Sequence, residues 1–183
     1  MGTELPILPS PSDASAGQQA EAPTLSRVFC IRENSPTLRL LLDFLKSRGQ
    51  TLFHTKMDPA ALDDWSWIRV TLGYNREKKP IQVFCLRDGG THTDLLEKER
   101  AYFLERLGMY EDEEAGLMRH YVTKARFMVG TAYTKSDMTE EGYDFTGWIL
   151  QFFQENCDGV VQADGQGFFS PKGDLVVEIE EEY

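Results

Sequence analysis

Residues 26–49 read SRVFCIRENSPTLRLLLDFLKSRG, and the parsing of this stretch sets the class of the fold. Its first seven residues concentrate Val, Phe, Cys and Ile, a run of β type. Asn34-Ser35-Pro36 then predicts a helix start, with Ser35 as cap and Pro36 in the first turn, where its missing N–H costs nothing. Leu38, Leu41, Leu42 and Leu45 recur at i, i+3, i+4 and i+7, so one face of that helix is apolar and seeks a partner layer. Gly49 ends it.

Working outward, residues 65–74 (WSWIRVTLGY) alternate and are β-branched, which predicts a strand. The polar turn at 75–79 leads to a returning strand at 80–87 (PIQVFCLR), a hairpin broken by Asp88-Gly89-Gly90. A helix capped by Thr93 or Asp94 follows, burying Leu95, Leu96, Tyr102, Phe103, Leu104 and Leu107 and stopping at Gly108. A further turn or two of helix is expected within 111–121. Residues 124–133 (KARFMVGTAY) return to strand composition, and a helix is expected over 145–156. Residues 159–163, 167–170 and 175–179 read as a meander with turns at Asp164-Gly165 and at 171–174.

The predicted order is βαββαβαβββ, an α+β protein with a mainly antiparallel sheet and helices packed on it. Residues 26–133 spell βαββαβ, the split βαβ arrangement of ferredoxin-like folds. A competing parse takes two βαββ halves, 26–87 and 124–179. The 183-residue length suits one domain, placed at 25–180. Residues 1–24, rich in Pro, Ser, Ala and Gly, are expected to form a disordered arm, because they cannot bury enough apolar surface to offset the entropy of ordering.

Acids outnumber bases 30 to 19, for a formal charge of −11. From Asp137 onward there are twelve acids and one base, Lys172, while residues 1–136 are neutral. This balance argues against nucleic acid, whose phosphates are neutralised by Lys and Arg, and points instead to a basic protein partner. Acidity also serves solubility without any partner. No apolar run reaches the ~18 residues of a membrane span, and the start has neither the positive charge nor the apolar stretch of a secretory signal. Cys30, Cys85 and Cys157 lack the spacing of a zinc site or a disulfide framework. Cys30 and Cys85 sit in apolar runs and are expected to be buried free thiols, consistent with a cytoplasmic protein.

No catalytic, metal or cofactor motif is present. The three histidines, His54, His92 and His120, have no histidine or cysteine at i+3 or i+4. His92 and Asp94 stand with Glu97 and Glu99 after the Gly89-Gly90 break, where a helix start and glycine N–H groups could bind an anion, although helix capping accounts for the same residues. Trp65 and Trp67, two apart on a strand, would share one face and form a binding platform with Arg69; burial of both in the core is the competing account. Function is accordingly expected to be non-catalytic: a binding or interaction module with an acidic C-terminal quarter. The alternatives are a small-molecule sensor that pairs as a homodimer, or an enzyme that uses 88–99 with His120 or His54. The binding set is Trp65, Trp67, Arg69, His92 and Asp94, with no metal and no cofactor.

Overall fold

A computed structural model describes residues 21–53 and 59–180. Seven strands form one sheet: β1 (Thr24–Cys30), β2 (Arg69–Leu72), β3 (Ile81–Arg87), β4 (Phe127–Tyr133), β5 (Gly159–Ala163), β6 (Gly167–Phe169) and β7 (Leu175–Glu178). Among the described residues four α-helices accompany them: α1 (Leu38–Ser47), α2 (Thr93–Leu107), α3 (Glu113–Lys124) and α4 (Glu140–Cys157). The α+β class with a mainly antiparallel sheet is therefore present. The predicted arm lies outside the described residues except for 21–24, and Thr24 already belongs to β1.

The sheet order is β2-β3-β4-β1-β5-β6-β7, with every neighbouring pair antiparallel. This differs from the ferredoxin-like order expected of residues 26–133, which would seat β1 between β3 and β4. Instead β4 lies between β3 and β1. A split βαβ unit does exist, but further along the chain. β4 and β5 both run antiparallel to β1, hence parallel to each other, and α4 connects them with β1 inserted between. The two βαββ halves meet at the centre through Val28↔Val129. They enter their hairpins from opposite ends: α1 leads to the outer strand β2, whereas α4 leads to the inner strand β5.

Both faces of the sheet are covered. On one, Val28, Cys30, Val83, Cys85, Phe127 and Val129 pack with the Leu38, Leu41, Leu42, Leu45 stripe of α1 and with Phe145, Ile149 and Phe153 of α4. On the other, Phe29, Phe84, Leu86 and Met128 pack with Leu96, Phe103 and Leu107 of α2 and Met118 and Val122 of α3. Burial on both faces explains why β1, β3 and β4 read as nearly unbroken apolar runs. Gly130 in β4 is required by this packing: the Phe84 ring lies over it, and a Cβ there would stand 2.1 Å from a ring carbon.

Several ends differ from expectation. Ser35 is not the cap of α1; that position is Thr37, which makes no side-chain cap bond. Neither Thr93 nor Asp94 caps α2, whose N-cap is His92 with no side-chain cap bond. Asp112 accepts from the Ala115 amide and supports a three-turn α3 where a turn or two was expected. No helix among the described residues is long and apolar enough to cross a membrane.

Candidate functional site: the Trp65 turn

Residues 65 and 66 form a turn, and β2 begins only at Arg69, so Trp65 and Trp67 do not alternate on a strand. The turn has its own local logic. Asp64 accepts from the Ser66 amide at 2.8 Å and from its hydroxyl at 2.6 Å, closing an Asx turn. These bonds, the hydroxyl first, hold the Asp64 carboxyl below its ordinary range. Asp63 is held low by the hydrogen bond from Arg39 of α1, whose guanidinium grips it at 2.6 and 2.8 Å. Two ionised carboxylates thus immediately precede the indole of Trp65.

The far side of the turn is clamped by Arg87, at the end of β3. Its Nη2 donates to the Ser35 hydroxyl oxygen at 2.6 Å and to the Trp65 carbonyl at 2.7 Å, while Nη1 donates to the Trp67 carbonyl. Ser35, buried, donates its own hydroxyl to the Trp65 carbonyl at 3.0 Å. The Cys85 amide donates to Ile68 at 2.8 Å, tying the end of the turn to the sheet. Such charge-assisted bonds from a planar guanidinium fix the backbone of 65–68 in one arrangement.

The two tryptophans consequently part company. Trp67 is only 4% exposed, packs 6.1 Å from the Phe153 ring, donates Nε1–H to the Pro36 carbonyl at 2.9 Å, and lies under the Arg87 guanidinium. It is core. Trp65 points the other way and is 57% exposed, with Ile68 nearby in sequence at 36%. Arg69 is exposed at the start of β2, opposite Phe84. In place of two indoles on one strand face there is one exposed indole on a turn held by backbone hydrogen bonds.

His92 and Asp94 stand at the start of α2, in the layer opposite the one that receives Trp67. The His92 carbonyl accepts the first amides of the helix, and Asp94 is exposed in its first turn. The glycine amides of the anion-binding reading have partners within the turn itself. The Gly89 amide donates to Thr93 Oγ1, the Gly90 amide to the Arg87 carbonyl, and the Thr93 amide to the Gly90 carbonyl. His54 lies outside the described residues. Sequence reasoning missed Arg87 and the true role of Ser35; the signal available was an arginine ending an apolar strand, with no spacing to link it to residue 35.

Seven of the twelve acids of the last quarter fall into two groups. Asp164 accepts from buried Arg27, Asp137 from the Lys79 amide, Asp158 from the Tyr121 hydroxyl and Glu155 from Gln151. Glu140, Glu141 and Asp144 instead line a cleft of about 430 Å³ with Gly49, Gln50, Thr51 and Phe53. Among the described residues no group of three or more His, Cys, Asp or Glu is arranged to hold a metal ion. Compared with known proteins, the chain matches no family model and no curated protein or solved structure at a significant level.

Proposed function

We propose that this protein is a non-catalytic interaction module that docks a basic protein partner on the Trp65 turn. The observation that supports this reading is the exposed Trp65 indole, held by backbone bonds to Arg87 and Ser35 rather than by burial of its own ring. An exposed tryptophan on a preorganised backbone loses little entropy on binding and is the residue type most enriched among binding hot spots. The carboxylates of Asp63 and Asp64 border it, and the −11 net charge supplies the long-range field that draws a basic partner and slows an acidic one.

The test compares proteins retained from native lysate by the full chain and by Trp65→Ala, followed by calorimetry with the purified partner at two salt concentrations. A basic protein is expected, bound at least ~30-fold more weakly by the variant, about 2 kcal/mol, with affinity falling as salt rises. Trp65→Ala should keep the melting temperature of the parent. An unchanged set of bound proteins, or a partner whose affinity ignores both salt and Trp65, would sink the reading.

A further inference from the structure

Arg27 shows what a buried arginine demands in this protein. Its guanidinium, inside the sheet layer, is matched by Glu99 at 2.5 Å, Asp164 at 2.6 Å and Gln162 at 2.7 Å, and it rests on the Phe103 ring. Its charge is paired, and Nε and Nη1 both have acceptors, as burial requires. Arg100, one residue along α2 from Glu99, is treated differently. Its side chain is only 17% exposed, yet the nearest carboxylate, Asp88, stands 3.7 Å away. Nη2 donates to the Ala125 carbonyl, and the buried Nε has no acceptor among the described residues.

Arg100 lines a cavity of about 560 Å³ with Asp88, His120, Thr123, Lys124 and Arg126. The topology builds it. Asp88 follows β3 and Arg126 precedes β4, joined by the Asp88 amide donating to the Arg126 carbonyl at 2.9 Å; the Arg126 amide donates to the Cys30 carbonyl at 2.8 Å, at the end of β1. The last turn of α3 adds His120 and Lys124. Three cations therefore line the cavity with one carboxylate, which reaches Arg126 only at 3.4 Å and Arg100 only at 3.7 Å. Asp88 accepts one long hydrogen bond from Arg126 Nη1 and pairs with Arg100 at ion-pair distance only. Lys124 offsets the negative partial charge of the α3 C-terminus. In a chain of net charge −11 this is a local inversion of sign.

We propose that this cavity binds a phosphorylated small molecule. Phosphate oxygens match the guanidinium fork, which binds them bidentately. A volume of about 560 Å³ exceeds what a bare phosphate fills and falls within the ~300–1,000 Å³ usual for small-molecule sites, which leaves room for an organic moiety beside the phosphoryl group. The site is separate from the Trp65 turn, and its fate does not depend on that reading.

Inorganic phosphate, AMP and glucose 6-phosphate are titrated into the full chain at constant ionic strength, with adenosine and glucose as unphosphorylated controls. Binding is read by calorimetry and by amide shifts in nuclear magnetic resonance. Saturable binding of AMP or glucose 6-phosphate is expected, tighter than that of inorganic phosphate, with shifts centred on residues 123–126. Arg126→Gln and Lys124→Gln, at exposed positions that leave the core intact, should each weaken it about tenfold or more, while Lys172→Gln should leave it unchanged. Absence of saturable binding, equal binding of the unphosphorylated controls, equal binding of inorganic phosphate, or parental affinity in both exposed variants would each overturn the proposal.

Discussion

Cys30, Cys85 and Cys157 are all buried and unbridged. Burial pushes the Cys85 thiol up to about 12, against smaller opposing contributions from Arg87 and Ser35. Burial first, and then a hydrogen bond with Cys157, raises Cys30 well above the ordinary range. The consequence for stability has a definite sign. Below the unfolded thiol pKa of ~8.5 both states are protonated and the thiols contribute no pH dependence. As pH rises from there toward 12, the unfolded chain releases protons that the folded one retains, so stability falls. Tyr133, raised chiefly by burial, acts in the same direction. The urea midpoint should therefore be flat between pH 7 and about 8.5 and decline above it, less steeply in Cys85→Ala; a midpoint that rose with pH would contradict the burial. The interior position of Cys30 and Cys85 was legible from their apolar flanks; that of Cys157, between Asn156 and Asp158, was not. The buried Arg27 was not, because a single charge in SRVFCIR carries no mark that Glu99 and Asp164 await it from distant segments.

At the scale of the element, α1 is the case where spacing sufficed. Leu38, Leu41, Leu42 and Leu45 are all buried, and Gly49 at φ +78° follows the last turn. Leu41→Ala should cost ~2–5 kcal/mol in chemical denaturation; a loss under ~0.5 kcal/mol would mean that the stripe does not face the α4 layer. The meander also matched closely, since β5, β6 and β7 lie where the turns at 164–165 and 171–174 put them. The Trp65 segment was misread for a physical reason. W-S-W-I has the period of a strand, but Asp64 and Arg87 supply hydrogen bonds that a turn can use and a ladder cannot. Capping was misplaced likewise: Ser35 has a short polar side chain suited to a helix end, yet Arg87 and the Trp65 carbonyl engage its hydroxyl.

For the whole molecule, the sheet separates two apolar clusters, one under α1 and α4 and one under α2 and α3. β1 and β4 are paired on both edges and covered on both faces, whereas β2 and β7 end the sheet. Amide hydrogen exchange should follow this layout, because protection tracks local burial and bonding. Val28, Phe29, Met128 and Val129 are expected to exchange slowest, at the global unfolding free energy, and β7 faster by orders of magnitude. Equal protection in β7 and β1 would show that the sheet unfolds as one unit. Charge also acts at this scale: four of the twelve acids from Asp137 onward, Asp137, Glu155, Asp158 and Asp164, serve internal contacts, so the field seen by a partner comes mainly from the others.

What sequence alone determined is whatever depends on neighbours along the chain: periodicity, turn chemistry, the α1 stripe, the apolar thiols and the net charge. What tertiary structure decided is whatever depends on which strands lie side by side. The seating of β4 between β3 and β1, the reach of Arg87 to Ser35 and the Trp65 turn, and the gathering of Arg100, Lys124 and Arg126 in one cavity with Asp88 all depend on which segments lie side by side. Local free energies are nearly indifferent to that pairing, since any antiparallel neighbour satisfies the same backbone groups; only the packing of whole layers selects among them.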